Sequence, residues 1–157
     1  MNTLRRLQPH AGRMAAMAVF GGYTAGWAVL VRRGGRAVPA PPTPWELLLT
    51  ATATFRLSRL LGKATVTRPI RAPFTQVEAP GAPAELNETP RDQHGRKTVG
   101  ELVSCPFCLS VWIVTTLTGA QLIWPRATRT VTGALTALAA ADAMQFAHSA
   151  LTAKAER

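Results

Sequence analysis

Charge is nearly absent from several stretches of membrane-spanning length and is concentrated in the segments between them. The first uncharged run is Met14 to Val31 (MAAMAVFGGYTAGWAVLV), bounded by Arg13 and by Arg32-Arg33. It is long enough to cross a bilayer with little tilt. A cleavable leader is the rival reading, because a basic start, an apolar centre and the small residues of 37–40 are all present. The run is long for such a leader and Arg32, Arg33 and Arg36 crowd the cleavage region, so we read it as a retained helix.

The proline-rich connector AVPAPPTP cannot continue that helix. A second helix is expected from Trp45, a residue suited to the membrane interface, to about Gly62. Arg56 and Arg59 lie three apart near its end, on one side, where long basic side chains reach for headgroups. Next comes ATVTRPIRAPF, which mixes Val66, Ile70 and Phe74 with Arg68 and Arg71 and suits a segment lying along a membrane surface. Pro69 and Pro73 argue against a continuous helix there. Residues 78–98 are rich in Pro, Ala, Glu and other charged residues, and are expected to form a mobile loop. A third span covers Val99 to Trp124 and a fourth about Thr130 to Leu151. The fourth is Ala-rich, with small residues that let helices approach closely, and it carries Asp142, Gln145 and His148.

The predicted fold class is therefore all-α and integral to a membrane, with about four spanning helices and a long polar connection between the second and third. Its parts are 1–44, an N-terminal helix and connector; 45–151, a three-helix membrane domain containing the mobile loop; and 152–157, a polar tail. With four spans, thirteen of the 18 Lys and Arg residues fall on the side of the termini and the long connection, and five on the other. The positive-inside rule then places both termini and the connection in the cytoplasm of a plasma membrane. The net charge of +10 would also suit nucleic acid, but the basic residues flank apolar runs and no zinc-finger, RNP-type or basic-zipper pattern is present. The lipid bilayer is the expected partner, with a second copy or another membrane protein beside it.

Cys105-Pro106-Phe107-Cys108 is the most specific feature, and these are the only cysteines. Proline fits the first turn of a helix, so Cys105 is placed as an N-cap with Cys108 one turn on. Unpaired N–H groups and the positive dipole end favour a thiolate there, whereas apolar surroundings oppose it. The pair alone is compatible with packing, with a redox couple, or with a metal site, zinc being the expected ion and two further ligands being needed. His94, His148 or a second chain are the available sources. A helix running unbroken from Gly100 would align Glu101, Cys105, Cys108 and Trp112 on one face, and a break at Pro106 would leave Glu101 off it. At about 1.5 Å per residue, Arg59 lies roughly 21 Å below Trp45 and Asp142 roughly 18 Å below Thr130. An ionised Asp142 facing lipid is costly, so Arg59 or Arg56 is its expected partner; a protonated Asp142 is the alternative.

The succession FRLSRL, TVTRPIRAPF and VGELVSCPFCLSVW resembles the family described as domain of unknown function 1360, small bacterial membrane proteins that include a Bacillus sporulation protein. The resemblance runs from about Trp45 to Leu151. It implies that Arg56 and Arg59, then Thr67, Pro69, Arg71 and Phe74, then Cys105, Cys108 and Trp112 form a preserved site, and it implies no reaction. An assembly or scaffold component is the expected role. The rival is a membrane thiol–disulfide oxidoreductase using the Cys pair, against which stand a reducing cytoplasm and the lack of a second pair. A transporter, motivated by Asp142 and Gln145 within a span, is a third possibility.

Overall fold

The structure is a computed structural model that describes residues 3–34, 41–92 and 96–156, with side chains described from residue 12 onward. Arg36, the small residues 37–40 and His94 lie outside the described residues. The chain is mostly helical: α1 (Thr3–Arg33), α2 (Pro44–Gly62), α3 (Arg68–Arg71), α4 (Arg96–Ser104), α5 (Pro106–Ile123) and α6 (Pro125–Ala155). Two strands, β1 (Thr75–Pro80) and β2 (Leu86–Pro90), complete it.

Local chemistry explains where the helices start. Thr43 caps α2 through a reciprocal box: its hydroxyl accepts from Glu46 N, and the Glu46 carboxylate accepts from Thr43 N at 3.0 Å. Pro44 supplies a first-turn residue that loses no hydrogen bond. Proline opens α5 and α6 in the same way. The third span ends at Ile123, close to the expected Trp124, and Pro125 at once begins α6, so Trp124 is the only residue between two long helices.

Contacts along the helices fix their directions. Moving up α1, Gly12 faces Thr98, Phe20 packs edge-on against Trp112, and Trp27 covers Gly119, so α1 runs parallel to α5. In α2 the order is reversed: Ala53 packs with Ile113 and Leu117, and Gly62 meets Leu109 and Pro106. Helix α6 returns alongside α2, with Thr136 donating to the Leu49 carbonyl and Asp142 beside Arg56. The result is an up-down-up-down bundle. Gly12–Arg33 and Pro106–Ile123 are long and apolar enough to cross a membrane; α2, with Glu46, Arg56 and Arg59, carries too much charge to meet that standard, and α6, with its threonines, Asp142 and Gln145, is not apolar enough.

Two expectations need correction. The chain is not all-α, because an antiparallel hairpin of 75–90 overlaps the start of the segment 78–98 predicted as a mobile loop, pairing Thr75 with Pro90, Gln76 with Thr89 and Val77 with Glu88. Gly81 N donates to Glu85 O, and Ala84 sits at φ 63° in the tight turn. What holds the hairpin is charge and backbone pairing: Glu85 and Glu88 reach arginines outside it, and the turn docks where Thr65 N and Leu86 N donate to Ala84 O and Lys63 O. The third span is also not one helix, since the chain breaks at Cys105 between α4 and α5. Pro106 has no N–H to continue the ladder.

Candidate functional site

Glu101, Trp112 and the Arg56–Asp142 pair find partners elsewhere, but Arg59, Thr67, Pro69, Arg71, Phe74, Cys105 and Cys108 lie at the end where α2 stops and α5 starts, beside the hairpin. Their centre is Arg71, whose side chain is 1% exposed. Its Nε donates to Glu88 Oε2, one terminal nitrogen donates to Leu61 O at 2.6 Å and Thr67 Oγ1 at 2.7 Å, and the other donates to Ala64 O at 3.0 Å. One guanidinium thereby closes the end of α2, the following turn and β2 into a single unit. The Thr-x-Pro-x-Arg spacing acquires a reason here. Thr67 and Arg71 lie one helical turn apart, Pro69 sits in the first turn of α3, and the Thr67 hydroxyl is aimed back at Leu60 O and Ala64 O.

Phe74 contributes through its backbone. Its carbonyl accepts from Arg91 N at 2.9 Å, and a Cβ on Gly100 would lie 2.6 Å from that oxygen and 2.9 Å from Pro90 Cβ. Gly100 is therefore what allows α4 to lie against the hairpin. Arg91 adds hydrogen bonds from Nε to Thr75 O and Ala72 O.

The two arginines of α2 divide their work. Arg59 makes a forked pair with Glu85, at 3.0 Å from Nε and 2.5 Å from a terminal nitrogen, and stacks its guanidinium 5.9 Å from the Phe55 ring centre. Arg56 Nε lies 2.9 Å from Asp142 Oδ2, a close ion pair without the alignment of a hydrogen bond. Asp142 thus sits beside Arg56, not Arg59.

Cys105 is the N-cap of α5, and its Sγ accepts from Cys108 N at 3.3 Å. Both cysteines are free thiols, Cys108 exposed and Cys105 half-buried. Burial pushes the Cys105 thiol up, but hydrogen bonds from the Cys108 side chain and from the Cys108 and Phe107 backbone, with the charge of Lys63, bring it below the ordinary value. Among the described residues no group of three or more His, Cys, Asp and Glu side chains is arranged to hold a metal. The break at Cys105 takes Glu101 off the cysteine face: it lies 3.9 Å from Arg13 of α1. Trp112 belongs to an aromatic cluster, 5.0 Å from Phe20 and 5.3 Å from Tyr23, whose hydroxyl meets Thr116 Oγ1 at 2.6 Å.

Sequence reading missed Glu85, Glu88, Thr75 and Arg91, all in or beside the hairpin. A signal for the glutamates was available: Glu78, Glu85 and Glu88 lie in a segment whose only large apolar residues are Val77 and Leu86, and it follows Arg59, Lys63, Arg68 and Arg71.

A family model described as a protein of unknown function (DUF1360) matches residues 48–148. No curated protein and no solved structure matches the chain.

Proposed function

The chain belongs to the DUF1360 family of proteins of unknown function, and from that membership we propose that it is a four-pass membrane protein acting as a structural or assembly component, with its Cys pair at the cytoplasmic leaflet. One observation carries the membrane part. Among the described residues the buried apolar side chains are Ala53, Ile113 and Leu117, whereas Thr54, Ser58, Thr128 and Thr132 are also buried and Leu47, Leu48, Phe55, Val111, Val131 and Phe146 face outward. A water-soluble domain has the opposite arrangement. The buried hydroxyls of Ser58, Thr128 and Thr132 satisfy themselves on carbonyls one turn back, as hydroxyls in a lipid-embedded bundle must. Alternating helix directions support α2 and α6 as spans alongside α1 and α5, the Arg56–Asp142 pair lowering the cost of their charges. The excess of basic residues beside the hairpin orients this end toward the cytoplasm.

For the Cys pair, the assembly reading supplies the missing half of a tetrahedral zinc site from a second chain. The oxidoreductase is the second reading, favoured by the N-capping Cys105 thiol accepting from Cys108 N. Membrane-impermeant maleimide on intact cells tests location. Labelling of Cys105 and Cys108 only after lysis supports the cytoplasmic site; labelling from outside overturns it and favours the redox reading. Zinc content of the purified protein then decides between the two, with one zinc per two chains, lost together with the dimer in a Cys105→Ser/Cys108→Ser variant, expected for assembly.

A further inference from the structure

The stretch between α2 and the hairpin is inside out. Residues 65–71 form a 3-10 turn running into α3, and its inner side carries Thr67 and the fully buried Arg71. Its outer side carries Val66, 77% exposed, and Ile70, 66% exposed, four positions apart and left open by the described residues. A segment that buries an arginine and turns a valine and an isoleucine outward is stable where its surroundings are apolar.

Its position says what those surroundings are. The segment begins three residues after Gly62, and Gly62 is packed on Leu109 and Pro106 at the first turn of the apolar helix α5. Phe107, 86% exposed, stands at the same end of α5. Residues 65–71 therefore leave the bundle at the level where its apolar surface ends. Charge is sorted there as well. Glu85 is taken by Arg59 and Glu88 by Arg71, whereas Lys63 forms no ion pair among the described residues and the Arg68 side chain remains 50% exposed, with only a 3.9 Å approach to Glu88.

We propose that this surface is a binding patch for anionic phospholipid, in which Val66, Ile70 and Phe107 enter the acyl boundary and Lys63 and Arg68 take the headgroup phosphates. The inference rests on the membrane-spanning reading and adds to it a lipid class and the residues that select it. Apolar insertion and basic pairing are the two signals that together give a stable surface attachment.

The test uses the full chain in vesicles of phosphatidylcholine with and without phosphatidylglycerol, carrying a photo-reactive benzoylphenylalanine at Ile70 or, as a reference, at the exposed Val114 within α5. Lipid adducts are expected at both positions, enriched in phosphatidylglycerol only at Ile70. Lys63→Gln and Arg68→Gln should each reduce that enrichment about fivefold and leave Val114 adducts unchanged. Adducts at Val114 without any at Ile70, or equal yields from both lipids at Ile70, overturn the patch and leave the spanning reading intact. Absence of lipid adducts at Val114 removes the spanning reading itself. In native membranes, a polypeptide adduct at Ile70 overturns the patch in favour of a protein partner.

Discussion

The bundle and the cap formed by α3 and the hairpin both keep polar groups away from water, and they do it at opposite ranges of sequence. In the bundle, the buried hydroxyls of Ser58, Thr128 and Thr132 close on carbonyls three or four residues back, within their own helices, and Thr54 Oγ1 alone among the buried bundle hydroxyls of the described residues has no partner. In the cap, Arg71 reaches Thr67 one turn back but also residues 61, 64 and 88, and no single helix can supply that set of partners. Polarity in the bundle is thus tolerated helix by helix, whereas polarity in the cap is cooperative, and removing one member strands the others.

The sharpest way to break this contrast is Arg71→Met. It leaves the Glu88 carboxylate buried with no strong partner, since Arg68 is 3.9 Å away and Glu88 Oε1 already lacks a hydrogen bond. Removing one member of such a pair costs about 3–5 kcal/mol. Hydrogen exchange in detergent should show the hairpin amides losing protection with α5 intact. Arg71→Met/Glu88→Met, which removes both charges, should recover most of the protection; equal loss in single and double variants would sink the cooperative account.

Two glycines allow a milder comparison at the same level of change. In Gly100→Ala the new methyl meets the Phe74 carbonyl, which is backbone anchored by Arg91 N; in Gly119→Ala it meets the Trp27 indole. Overpacking of this kind costs about 1–3 kcal/mol. Both should destabilise, but Gly100→Ala should loosen the hairpin and Gly119→Ala should release α1 from α5, read as accelerated proteolysis near α1 with the hairpin still protected.

These positions also mark how far the sequence could be read. Long uncharged runs and flanking arginines were enough for the apolar helices α1 and α5, because span length and charge placement are properties of contiguous residues. The Cys105 cap followed from Pro106 for the same reason. The hairpin was not legible: strands announce themselves through alternating apolar positions, and 75–90 has almost none, its stability coming from Glu85 and Glu88 meeting arginines up to 26 residues away. Depth left Arg59 and Arg56 both open as the partner of Asp142, because depth along a helix fixes height and not azimuth. Arg56 and Arg59 share a side only loosely, and their separation is enough to send one to α6 and the other to the hairpin.

The Arg56–Asp142 pair is the bundle's counterpart to Arg71–Glu88, and its partial exposure of 20% and 30% predicts a weaker bond. A double-mutant cycle of Arg56→Gln and Asp142→Asn should give a coupling of about 1 kcal/mol, well below the cap's. A coupling as large as that of Arg71 with Glu88 would mean that the two regions do not differ in kind.

The smallest effect lies at the seam between them, on Cys105. Its thiol is held below the ordinary value, so the folded state favours the thiolate. The stabilisation this brings is full above the thiol's unfolded pKa and is lost as pH falls through the depressed folded value. Alkylation of Cys105 should accordingly persist to lower pH in the folded protein than in the unfolded chain. Burial opposes the thiolate, the Cys108 side chain is the strongest of the groups favouring it, and Lys63 is the weakest. Cys108→Ala should therefore move the alkylation midpoint upward more than Lys63→Gln does. The reverse order would mean that the charge of the cap, and not the cap of the helix, governs the thiol.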